Sequence, residues 1–293
     1  NSPTMTGNFG LYGGTFTAPA GTLYAGGSWA LNGGTFDPQA GTVEFNGASG
    51  NLNSGATVFH HVVVNKNTGA ALTLTGALLV AGNVTLTQGT LNGNGKDVRV
   101  AGNWSNQATF VGNGNTVYLD GGNQTVAGTT TFYHLTKMAA AAATLTFEAN
   151  QTQTVAGRLT LQGAAGNLLA LRSTQAGTRW KLLAQGLRSI GYLDVQDSEN
   201  AGAVTFDARK TGSADSGNNV GWLFADGGAT LTFVWVNASG DGKWGTLWNW
   251  SSGGTSRVPG AADAVLFDGT ATANCLAEAS TVAQHLAALT TTG

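Results

Sequence analysis

The feature that most limits what this chain can become is its habit of repeating itself. Gly7-Asn8-Phe9 and Gly14-Thr15-Phe16 return 20 residues later as Gly27-Ser28-Trp29 and Gly34-Thr35-Phe36, and Gly82-Asn83-Val84 returns as Gly102-Asn103-Trp104 after the same interval. A longer period lies over the short one. Phe36 matches Phe110 and Val43 matches Val117 at an offset of 74, Phe59 matches Phe132 and Leu72 matches Leu145 at 73, and Val80-Ala81-Gly82 matches Val155-Ala156-Gly157 at 75. Residues 102–122 read as two short strands, each closed by a Gly/Asn turn, with companion strands such as Asn115-Thr116-Val117-Tyr118-Leu119 alternating polar and apolar residues. A strand pair of that size cannot bury its own apolar face, so the copies must stack on one another. About 20 residues is one turn of a β-solenoid.

That geometry accounts for the composition. Glycine supplies 45 of 293 residues and charged residues only 10%, against about 7% and about 25% in an average soluble domain. Corners where the backbone visits positive φ need Gly or Asn, inward positions form ladders of Val, Leu, Phe and Trp, and outward positions carry Thr and Asn. Turns stack ~4.8 Å apart, so ten to eleven of them predict a rod about 50 Å long. The net charge of −2 offers no basic face, which argues against nucleic acid and against an anionic membrane surface as partners. No apolar run is long enough for a helical membrane span. The single cysteine, Cys275, excludes an internal disulfide framework.

From Gly163 the repeat degrades, and Arg172, Arg179, Lys181 and Arg188 bring charge into a chain that otherwise avoids it. The stretch Asp215-Ser216-Gly217-Asn218-Asn219 with Trp222 and Phe224 reads as the closure of the array, the aromatic pair being placed to plug its end. Residues 225–230 read as a linker. The vocabulary then changes: four of the eight tryptophans, Trp235, Trp244, Trp248 and Trp250, fall within 16 residues. The expected fold is therefore all-β, a right-handed parallel β-helix over residues 1–224 followed by a small Trp-rich β module over residues 231–293.

The word order resembles a known class. Gly-Asn-Trp and Gly-Thr-Phe turns are followed by Phe132-Tyr133-His134-Leu135-Thr136-Lys137, Trp180-Lys181, Asp194-Val195-Gln196-Asp197-Ser198 and then the Asp215–Asn219 stretch. Together they resemble the repeat modules of large bacterial surface and secreted β-helix proteins, akin to filamentous adhesins and autotransporter passenger domains. The resemblance implies an extracellular structural segment. In such proteins a Trp-rich stretch opens a module and an Asp/Asn-rich one closes it, so this chain would hold most of one module and the opening of the next. Its partners would be further copies of itself, head to tail or in tandem array, and a surface polysaccharide is a second candidate.

Candidate sites are few. Asp194, Asp197 and Asp215, with Glu199 and Asp207 nearby, would suit calcium on a β-helix face, although turns carry Asp as a matter of course. Asn237, Ser239 and Asp241 place oxygens at alternating positions before a glycine, a partial echo of a calcium loop without its closing Glu. Trp235, Trp244, Trp248 and Trp250 form either the core of a small module or a sugar-stacking platform. His60 and His134 read as equivalent repeat positions, which points to stacking rather than ligation. No nucleophile elbow, phosphate loop or dinucleotide fingerprint is present, so an enzyme is not expected. The alternatives to a spacer are a carbohydrate-binding adhesive module and, third, a polysaccharide-cleaving β-helix enzyme.

Overall fold

The structure is a computed structural model that describes residues 2–224, 232–244, 249–251, 259, 264–269 and 288–291. Among them there is no α-helix, and parallel strands stack into a β-solenoid. Within the solenoid, paired strands stand three apart in chain order, except for the last pair, Phe206–Asp207 with Trp222–Leu223, which stands two apart; this divides each turn among three faces. The first face is an unbroken eleven-stranded parallel sheet running from Thr4–Met5 to Ala214–Asp215. The second face carries a six-stranded and then a four-stranded sheet, and the third a two-stranded, a seven-stranded and a final two-stranded sheet.

The interior follows from period-two alternation. On the first face Leu23, Val43, Val62, Val84, Trp104 and Val126 stand in register one above another, and all are buried. Each such side chain removed from water contributes on the order of 1.5–3 kcal/mol before conformational entropy is charged against it. Between them sit outward Thr, Ser and Glu residues, half-buried by their neighbours above and below. Asn94, Asn113 and Asn150 turn corners at φ 48°, 52° and 64°, a conformation that asparagine tolerates better than most side chains.

One expectation is corrected in detail. Residues 102–122 are not a strand pair but one whole turn of three strands, Trp104–Asn106 on the first face, Thr109–Val111 on the second and Thr116–Leu119 on the third. Trp104 and Phe110 point inward, as do Trp29 and Phe36, but the two pairs lie on different faces. Trp29–Leu31 is the fifth strand and Trp104–Asn106 the sixteenth; Thr35–Asp37 and Thr109–Val111 are the sixth and seventeenth; Ala71–Leu74 and Ala143–Phe147 the eleventh and twenty-second. The long repeat is thus eleven strands, which is not a multiple of the three that make a turn. Even so, it rebuilds the same core. Trp29 meets Phe36 at 4.9 Å (79°) and Phe59 at 5.8 Å, while Trp104 meets Phe110 at 5.1 Å (81°) and Phe132 at 5.5 Å.

Beyond residue 231 a separate four-stranded sheet is ordered Trp250–Ser251, Thr232–Trp235, Ala264–Phe267, Ala288–Thr291, with the first pair antiparallel and the others parallel. It has its own core of Phe233, Trp235, Trp244, Trp250 and Val265. The expected linker, residues 225–230, lies outside the described residues.

Candidate functional site

The acidic residues near the end of the solenoid are committed to its corners. The Asp194 carboxylate pairs with the Arg172 guanidinium and accepts from the Ser216 hydroxyl, while Arg172 Nη1 also donates to the Asp194 carbonyl at 2.6 Å. Asp197 is buried and sits at φ 54°. Its two oxygens accept from the Gly177 amide (3.1 Å) and from Asn218 Nδ2 (2.6 Å). Asp215 accepts from the Gly217 amide (2.9 Å) and Asn219 Nδ2 (2.6 Å). Each of the three carboxylates is therefore engaged by donors of the chain itself, both oxygens in Asp194 and Asp197 and Oδ1 in Asp215, and among the described residues no group of three or more His, Cys, Asp or Glu side chains is arranged to hold a metal.

The polar loop before Trp244 is likewise organised from within. Its centre is Asn249, fully buried. Asn249 Oδ1 accepts from the Ser239 hydroxyl at 2.6 Å, and Asn249 Nδ2 donates to Asp241 Oδ1 at 2.6 Å. Asn237 Oδ1 accepts from the Gly242 amide at 3.0 Å. These are the bonds of a loop held shut. Trp235, Trp244 and Trp250 are buried, packing edge to face at 4.9 Å and 4.6 Å. Such rings form a core and leave no coplanar exposed platform; Trp248 lies outside the described residues.

Charge also lies inside the solenoid, at positions that belong to no motif. Lys66 and Lys137 are both completely buried. Lys66 Nζ donates to the Asn46 carbonyl at 2.6 Å. Lys137 Nζ donates to the Gly121 and Gly122 carbonyls and to Gln124 Oε1, the last two at 2.9 and 2.6 Å. Three ammonium hydrogens thus meet three oxygens, and burial still pushes the Lys137 amine down to about 8. The signal was in the alternation: Leu135 and Val64 point inward, so the residues two further on, Lys137 and Lys66, do as well.

The remaining feature is an edge. The strands of the first turn, Thr4–Met5, Phe9–Leu11 and Thr15–Thr17, each pair on one side only with the second turn. Their inner side chains Met5, Phe9, Leu11 and Phe16 are half-buried where the equivalent row one turn on, Ala25, Trp29, Leu31 and Phe36, is buried. Tyr12 beside them is 76% exposed. A row of unpaired backbone groups over a half-covered aromatic floor is a template for another parallel turn. At the far end Trp222 stacks on Phe206 (4.4 Å) and Phe224 on Trp222 (5.7 Å).

No known protein family, no characterised protein and no solved structure matches this chain. Among the described residues no helix is long and apolar enough to cross a membrane.

Proposed function

We propose that this chain is a structural, spacer-type segment of an extracellular bacterial surface fibre, sheath or adhesin, and that it extends by stacking a further solenoid turn on its first one. The observation that carries the reading is the first-turn edge. Three parallel strands there offer unpaired backbone, and Met5, Phe9, Leu11 and Phe16 are only half-covered. A further turn of the same geometry, from another copy or from contiguous chain, would complete both the hydrogen bonding and the burial. Contacts of this kind repeat in one direction without closing, which yields filaments rather than rings.

Electron microscopy and light scattering of the purified 293-residue chain test it. Rods joined end to end, lengthening with concentration, are the expected result. Leu11→Lys places a charge on the inner row of the edge and is expected to leave single short rods of unchanged circular dichroism. A monodisperse monomer at every concentration would defeat the assembly reading.

A further inference from the structure

The corners occupied by His61 and His134 are built alike. The Asn83 amide donates to His61 Nδ1 at 2.9 Å, and the Arg158 amide donates to His134 Nδ1 at 2.6 Å. In each case the donor follows a Val-Ala-Gly word, residues 80–82 and 155–157. A Cβ on Gly82 would lie 2.5 Å from His61 Nδ1, and one on Gly157 would lie 2.6 Å from the His134 ring. The repeated glycine therefore leaves room for an imidazole, and the structurally equivalent pair is His61 with His134 rather than His60 with His134. An aromatic neighbour recurs too: His60 lies 4.3 Å from His61 and Tyr133 lies 4.6 Å from His134.

Neighbouring corners do the same job with asparagine. Asn83 Oδ1 accepts from the Asn103 amide, Asn103 Oδ1 from the Thr125 amide and Asn123 Oδ1 from the Thr144 amide, each at 2.8 Å. Histidine Nδ1 and asparagine Oδ1 both stand one bond beyond Cγ and reach the same amide. The difference is that imidazole gains a proton in mildly acidic water and the carboxamide does not.

We propose that His61 and His134 are a matched pair of acid-releasable latches, one in each copy of the long repeat, that hold successive turns together while Nδ1 is unprotonated and let go when it takes a proton. A protonated Nδ1 would present a hydrogen to an amide hydrogen, turning the bond into a repulsion. The surroundings act in the same direction. Burial, and then the charge of His60, hold His61 below the ordinary histidine range; its own amide donates to the Gly41 carbonyl at 3.2 Å and its register partner is the neutral Thr42. Burial, and then Arg158, hold His134 down against the opposing pull of Asp97; Tyr133 lies beside it and its register partner is Thr116. The folded chain thus holds these protons less tightly than the unfolded chain. The latches are shut above about pH 6.5 and weaken as the pH falls through that value.

Residue-resolved amide hydrogen exchange at pH 7.5 and 5.0, corrected for intrinsic rates, reads the latch directly. The opening constants of the Asn83 and Arg158 amides are expected to rise by up to about 30-fold at pH 5.0, the limit for a free imidazole titrating near 6.5. The double variant His61→Asn/His134→Asn is expected to keep both amides protected at pH 7.5 and to lose the pH dependence. Equal opening at the two pH values in the parent chain would overturn the proposal, and so would an unchanged pH dependence in the variant. Nitrogen shifts of the imidazoles in the parent chain decide the matter independently of how the variant folds. Nδ1 should be unprotonated at pH 7.5 and gain its proton in step with the opening, and an Nδ1–H tautomer at pH 7.5 would overturn it.

Discussion

Lys137 is the residue whose burial has the most measurable outcome. Its amine titrates at about 8 in the folded chain, below the ordinary 10.5, so the folded state binds that proton less tightly than the unfolded state does. The penalty is fully present below about pH 8 and lifts as the pH rises from 8 toward 10.5. Denaturant unfolding should show stability increasing over that window. In Lys137→Met the increase should shrink to the part that Lys66 contributes, whose amine burial also lowers, and stability near neutrality should fall by ~1–3 kcal/mol because the Gly121, Gly122 and Gln124 oxygens lose their donor. At this scale legibility was uneven. The inward direction of Trp104, Phe110, Trp29 and Phe36 followed from alternation alone, since a side chain's face is fixed by its parity in the strand. The fate of Asp194, Asp197 and Asp215 did not, because a carboxylate that caps a corner and one that binds calcium carry the same letter. What separates them is which amide and which asparagine lie across the turn, and that is a matter of stacking between residues some 20 positions apart.

Among elements, a strand's two faces should behave as two different materials. Leu145 in Ala143–Phe147 is fully buried, whereas Thr146 beside it points outward and is half-buried. Leu145→Ala is expected to cost ~2–5 kcal/mol through lost burial and the cavity left behind, and Thr146→Ala within ~0.5 kcal/mol, both read from chemical denaturation. Comparable losses at the two positions would mean that this strand does not alternate as described. Strand existence and the stacking of turns were legible from the 20-residue offset, which matches the pairing of Phe9 with Trp29 and of Val84 with Trp104. The number of strands per turn was not. The third strand of a turn, such as Thr116–Leu119, reads from the sequence only as a companion because its wording differs from the two glycine-led words before it, and only the backbone pairing places all three in one coil. The Trp-rich segment illustrates the opposite limit. Clustered tryptophans announce a small core and a sugar site equally well, and the choice depends on which way the rings of Trp235, Trp244 and Trp250 face.

For the molecule as a whole, stability is the sum of one-dimensional contacts, each turn touching only the turns above and below. Such a fold should tolerate the loss of a complete turn. Removing residues 84–103 joins Asn83 to Trp104, which restores the Gly-Asn-Trp corner and lets Trp104 take the place of Val84 opposite Val62. The shortened chain is expected to keep its β circular dichroism and to lose one rung, ~4.8 Å, from its long axis by small-angle scattering. An unfolded or aggregated product would show that the turns are not interchangeable.

The eleven-strand span of the long repeat has a further consequence for how such a rod meets its surroundings. Because eleven strands are three full coils and two thirds of another, residues that match in the two copies look out in directions a third of a revolution apart, as Glu44 and Tyr118 do from the first and third faces. A repeat of nine or twelve strands would line up every copy's surface along one side and give the rod a front and a back. The mismatch instead winds each surface word around the axis like the thread of a screw. Three copies would bring it back to where it began, so a long array would present the same chemistry to every side from which it is approached.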